Sequence, residues 1–154
     1  MTLDIALSQA ATTVPECVAA GYVDVASGML LSMKTVDSHP RQVIDLLAAA
    51  TGDLFNGESV SIIERMFTKA RGLQEGQYHY FQEIIVNSEN LIHIFLRGKS
   101  NPDYVAVFVC RKTANLGMAL IRARLAMPAL EAAFWALRAM RFAHGFYEKA
   151  RQLV

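Results

Sequence analysis

The sequence predicts one α+β domain, and three observations carry that prediction. Strand-like runs come as a hairpin and, later, as a meander joined by short turns. Helical stretches with apolar stripes separate and flank those runs. The chain is 154 residues long, 53% apolar and 19% charged, which suits one well-filled core and argues against disorder. So high an apolar share exceeds what a small domain hides by itself, and the surplus points to an oligomer interface.

The elements follow in order. Leu3, Leu7 and Ala10 (or Ala11) recur at helical spacing, so a short helix is expected over residues 3–12, ahead of Pro15. Cys17–Val25 and Met29–Val36 are β-rich runs around Ala26-Ser27-Gly28 and predict a hairpin. Asp37-Ser38-His39-Pro40 is a helix start, with a polar cap ahead of an early proline. Val43, Leu46, Leu47, Ala50 and Leu54 then form one stripe, and Ile62, Ile63, Met66, Phe67 and Ala70 a second. At about 100° per residue the two stripes do not share a face. Either the helix breaks near Asn56-Gly57, or one long helix serves two surfaces. Tyr78–Asn87, Leu91–Arg97 and Tyr104–Cys110 are aromatic and β-branched, with polar turns between them, and predict an antiparallel meander. A helix is expected over Asn115–Met127, ended by Pro128, with a further long helix to about Gln152. That last helix is apolar nearly all round: Leu130, Phe134, Leu137 and Met140 on one side, Trp135, Phe142 and Phe146 on the other.

Net charge is +1, but it is unevenly spread. Residues 1–110 hold 7 Lys and Arg against 12 Asp and Glu, a net of −5, and residues 111–154 hold 8 against 2, a net of +6. Basic residues diluted among so many apolar ones make a poor footprint for nucleic acid. No apolar run reaches the roughly 18–20 residues that span a bilayer. Met1-Thr2-Leu3-Asp4 has neither the basic region nor the apolar stretch of a secretory signal, so a cytoplasmic protein is expected. Cys17 and Cys110 sit in apolar runs without a CxxC partner, which predicts buried, reduced thiols.

The sequence carries no phosphate-cradling glycine loop, nucleophile elbow or HExxH pair. No pattern calls for a cofactor or a metal. His79 and His93 fall on runs expected to be neighbouring strands, where a metal or acid–base pair is weighed against ordinary hydrogen bonding. The carboxylates are dispersed singly, which gives general acid–base chemistry no pair to work with.

Two segments carry a resemblance. In Val18-Ala-Ala-Gly-Tyr-Val-Asp-Val-Ala-Ser-Gly-Met-Leu30 a strand ends in Asp and a glycine turn leads to the next strand. In Thr113-Ala-Asn-Leu-Gly-Met-Ala-Leu-Ile-Arg122 an Asn-x-Gly start opens a helix after an apolar strand. With the order helix, two strands, helix, three strands, helix, the chain resembles the roadblock/LC7 family over roughly residues 3–126, a family related in shape to longin and profilin-like folds. The resemblance implies a five-stranded antiparallel sheet in the order 2-1-5-4-3, with one helix on one face and the terminal two on the other. It implies a non-catalytic, homodimeric scaffold or regulator of a small Ras-like GTPase or of a polarity or motility complex. The dimer would pair third strands and central helices, through Leu46, Ala50, Ile62, Met66, Tyr78, Tyr80, Gln82 and Ile84. Glu58, Glu64 and Arg65 are candidates for a polar partner rim, against the plainer reading of a solvated helix face. The chain departs from the family in a longer 40–72 region and in its tail, which suggests a domain over 1–127 and a helical extension over 128–154 packed on it or on a second subunit. A second reading is a ligand-sensing profilin-like module with His79, Tyr80 and His93 lining a cavity.

Overall fold

A computed structural model describes residues 1–38, 41–76 and 79–151, without the side chains of Arg41 and residues 146–150. The expected helix start at His39-Pro40, the interface residue Tyr78 and the Phe146 side chain lie outside the described residues. The element order is α1 (Leu3–Thr13), β1 (Cys17–Asp24), β2 (Met29–Thr35), α2 (Arg41–Asn56), α3 (Glu58–Ala70), β3 (Glu83–Asn87), β4 (Leu91–Arg97), β5 (Tyr104–Arg111) and α4 (Leu116–Arg151).

Local signals place most of these. The Thr2 hydroxyl accepts the Ile5 N–H at 3.2 Å and caps α1, whose Leu3, Ala6, Leu7 and Ala10 form the buried stripe. In the first hairpin Gly28 takes φ +71°, and its N–H donates to the Asp24 carbonyl at 2.8 Å. The sheet runs β2-β1-β5-β4-β3 with every neighbouring pair antiparallel. It is the order that the family resemblance implies.

The sheet has two differently built faces. On one, α1 and α4 cover a core that includes Leu7, Tyr22, Ile94, Phe108, Cys110 and Leu130, each fully buried. On the other, α2 packs Ala48 and Phe55 against Val23, Val25, Phe95 and Val105, and α3 packs against α2.

The central helical region is two helices, which decides between the two expectations. Gly57 has φ −56° and ψ 158°, which ends α2 and starts α3. A β-carbon there would lie 2.5 Å from the Asp53 carbonyl oxygen, so glycine is the residue that fits.

Two expectations are corrected. Pro128 does not end a helix: α4 runs unbroken through it for 36 residues, about 54 Å. A proline inside a helix removes one backbone bond and costs roughly 3 kcal/mol. Met127, Leu130, Ala133 and Phe134 are all buried around it, and that packing offsets the cost. The third strand starts at Glu83 rather than at residue 78, so Tyr80 and Gln82 precede it. Only the Gln82 carbonyl of that described segment accepts a backbone N–H from β4, that of Arg97, while the Tyr80 N–H and the Phe81 carbonyl bond to side chains.

Candidate interaction face

The candidate surface lies on the α2–α3 side. Along α2, Val43, Leu46 and Leu47 are exposed, Leu46 at 70%, and Ala50 lies one turn beyond Leu46. Along α3, Ile62, Met66 (67%) and Phe67 are exposed. The helix periodicity that places Ala48 and Phe55 on the sheet thus leaves a second apolar stripe open on each helix. At the sheet margin, β3 pairs with β4 on one side and with no other strand among the described residues. Ile84 on β3 turns toward the Phe95 cluster and is half-buried, while Ile85 and Val86 are exposed. An apolar edge strand beside exposed apolar helices is a surface that natural proteins usually cover.

The segment before β3 is held both to α3 and to the end of β4, where the Arg97 N–H donates to the Gln82 carbonyl at 2.9 Å. The Tyr80 N–H donates to Glu64 Oε1 at 2.8 Å, and the Tyr80 ring stacks on Phe67 with centroids 5.7 Å apart. Gln82 Nε2 donates to the His79 carbonyl at 2.8 Å. His79 Nδ1 lies 3.6 Å from Glu64 Oε2, beyond hydrogen-bond reach, and is buried without a hydrogen-bond partner among the described residues. Burial lowers the His79 pKa below 6.5 and nearby Arg97 adds to that, while Glu64 and Asp103 pull the other way.

Arg97 is the residue that ties these parts together, and sequence reading did not single it out. It is 4% exposed. Its Nε donates to the Phe81 carbonyl at 2.9 Å and Nη1 to the Pro102 carbonyl at 2.9 Å, and Nη2 approaches the Phe55 carbonyl at 3.4 Å. The guanidinium also lies 5.1 Å from the Phe55 ring centroid. One planar fork therefore joins the end of α2, the segment before β3 and the β4–β5 loop. Burial pulls its pKa below the usual arginine value, with Glu64 and Asp103 opposing. A lone arginine at the end of an apolar strand gives no sign of this in the sequence.

Of the candidate rim, Glu58 and Arg65 are exposed, whereas Glu64 is half-buried and already engaged by Tyr80. His79 and His93, weighed above as a pair across a hairpin, are not brought opposite each other: His93 faces Val86 in the β3–β4 register, and His79 precedes the strand. His93 lines a cleft under α2, and His79 and Tyr80 do not. Cys17 and Cys110 pair directly across β1 and β5 as free thiols, Cys110 buried and Cys17 half-exposed. A hydrogen bond from the Cys110 thiol lowers the Cys17 pKa, and the same contact with burial raises that of Cys110. Among the described residues no group of three His, Cys, Asp or Glu is placed to hold a metal, and no helix is long and apolar enough to cross a membrane.

Compared with known proteins, the chain matches no family model, and no curated protein matches it. Solved structures do match. Myxococcus xanthus MglB superposes with a TM-score of 0.62 at 16% identity, over 87% of this chain and 95% of that one. An MglB structure with a tetrameric arrangement gives 0.63 at 18%, over 85% and 86%. A roadblock/LC7 domain from Streptomyces avermitilis gives 0.62 at 13%, over 88% and 99%. At these identities the likeness is one of fold, and the chain has the roadblock/LC7 fold.

Proposed function

We propose that this protein is a non-catalytic, homodimeric interaction domain that serves as a scaffold or regulator of a small Ras-like GTPase or of a polarity or motility complex. The observation that carries the reading is the apolar surface of α2 and α3, with Leu46 and Met66 at its most exposed points, beside the unpaired margin of β3. A solvated helix face has no use for these side chains; a second subunit does. The tetrameric arrangement of one MglB structure with this fold supports self-association. The GTPase assignment rests on the family resemblance and on the exposed Glu58 and Arg65 near that face.

The tail belongs to the same reading. α4 packs on the sheet as far as Phe134 and is exposed over residues 136–145, with Met140 and Phe142 open to solvent. That stretch is the part of the 128–154 extension available to a second subunit.

Light scattering tests the dimer. Wild type is expected at twice the chain mass, and a Leu46→Asp, Met66→Asp double variant at the chain mass with an unchanged circular dichroism spectrum. These positions serve better than Ile84, which helps fill the core under α2. A monomeric wild type, or a dimeric double variant, sinks the reading. The partner is tested by pull-down with small Ras-like GTPases loaded with GDP or a GTP analogue, where a state-dependent interaction is expected. Binding that ignores the nucleotide state removes the regulatory half of the proposal.

A further inference from the structure

The side of the sheet that α2 covers is not filled. A cleft of about 720 Å³ opens between α2 and the strands, within the range of small-molecule sites. Its cause is visible in the sequence of β1. Ala19 and Gly21 are two of the positions of β1 lining the cleft, and neither fills the space that branched side chains would take. The roof is Ile44 and Leu47 of α2, and Val107 and Val109 of β5 line the cleft across from them.

The two ends of the cleft differ in chemistry. One is closed where Ala48, Phe55, Val23 and Phe95 pack together. At the other, β2 and β5 end and β4 starts, and polar groups gather: Asp37, Arg111, Lys112 and Thr113. Two cations thus line the mouth against one carboxylate. Lys112 donates to the Ser88 carbonyl at 2.7 Å, and the Thr113 hydroxyl donates to Glu16 at 2.8 Å. The α2 helix also begins at this end, and its dipole adds to the positive side. His93 contributes the imidazole of the lining, and its buried Nδ1 has no hydrogen-bond partner among the described residues.

An apolar slot closed at one end and cationic at the other selects a molecule with the same polarity. We propose that the cleft binds a single-chain amphiphile with an anionic head, of the fatty-acid class, with its chain between α2 and the β1–β5 floor and its carboxylate at Arg111 and Lys112. The site lies under α2, and the dimer reading is tested at Leu46 and Met66, which do not line it, so the two can fail separately.

The test is calorimetric titration of the full chain with saturated fatty acids of eight to sixteen carbons and with dodecanol. Saturable one-to-one binding is expected, tightening about fourfold per added methylene until the slot is full. Ala19→Phe fills the floor and should weaken dodecanoate at least tenfold, with the thermal midpoint checked to show that the fold survives. Arg111→Glu with Lys112→Glu should weaken dodecanoate about tenfold and leave dodecanol unchanged. Absence of saturable binding, or binding indifferent to Ala19→Phe, overturns the site. Equal loss of acid and alcohol in the charge-reversed variant overturns the anionic head. Light scattering on the same samples separates this from the dimer reading. If dodecanoate binds only after Leu46→Asp and Met66→Asp have produced a monomer, a second copy is the occupant and the proposal falls.

Discussion

The two faces of the sheet share five strands and differ in almost everything that covers them. Against α1 and α4 the strands present Tyr22, Ile94, Phe108 and Cys110, all fully buried in one cluster with Leu7 of α1 and Leu130 of α4. Against α2 the same strands present Ala19, Gly21, Val107 and Val109 over a cleft, while Leu46 and Met66 lie outside it and are exposed to solvent. Burial on the first side accounts for why the chain folds. The second side has apolar groups that folding alone does not consume, and an unused apolar surface is where a protein meets other molecules.

If that contrast is real, truncation must be costly on one side and cheap on the other. Phe108→Ala empties a fully buried ring site and should lower unfolding free energy by about 3–5 kcal/mol. Leu47→Ala, at a side chain 59% exposed, should stay within about 0.5 kcal/mol. Urea denaturation midpoints at constant m measure both. A large loss for Leu47→Ala would mean that the α2 side is already closed in solution, by a second copy or a ligand, and a concentration series would show which.

Arg97 is the next largest effect, because it ties the end of α2, the segment before β3 and the β4–β5 loop together at one end of the sheet. Arg97→Ala leaves the carbonyls of Phe81 and Pro102 buried without their donors, at a cost of about 2–4 kcal/mol. The loss should appear in thermal unfolding, and hydrogen exchange should localise it to residues 79–82 and 98–103 and the end of α2. Loss spread evenly over the α1–α4 face instead would show that Arg97 supports the whole core and is no local tie.

How much of this was legible in sequence follows from the range over which each signal acts. The hairpin turn at Gly28, the helical spacing of Leu3, Leu7 and Ala10 and the β-branched, aromatic composition of β4 and β5 are local signals, and the structure has the elements they predict. The break at Gly57 was visible as one of two options, since the stripe shift is local but its resolution depends on the Asp53 carbonyl. Pro128 misled because a local breaking signal lost to packing by Met127 and Leu130 on either side of it. The run from Tyr78 to Gln82 has β composition, yet its described part is held by Glu64 on α3 and Arg97 on β4, partners distant along the chain. Of the cleft, only His93 was legible, through the ligand-sensing reading. Small residues at 19 and 21 mean little until α2 is known to pass over them.

The smallest predicted effect is a pH dependence confined to the α2–α3 side. His79 has a folded pKa below its unfolded value of 6.5, because burial and Arg97 disfavour its cation more than Glu64 and Asp103 favour it. Between the two values the unfolded chain binds more protons, so stability rises with pH there. The contribution is complete above about 6.5 and is lost as pH falls from there through the folded-state pKa. Glu83 acts in a lower window: its bond to Arg124 depresses its pKa, so its contribution is lost only as pH falls below 4.5. Urea midpoints at about pH 7.5 and about pH 5.5 should therefore fall for wild type, and fall less for His79→Gln, which carries no titrating ring. Amide exchange at Tyr80 should quicken over the same interval while the Phe108 core stays protected. An equal fall in the variant would assign the acid sensitivity to another group and leave the pairing of residues 79–82 with α3 independent of pH.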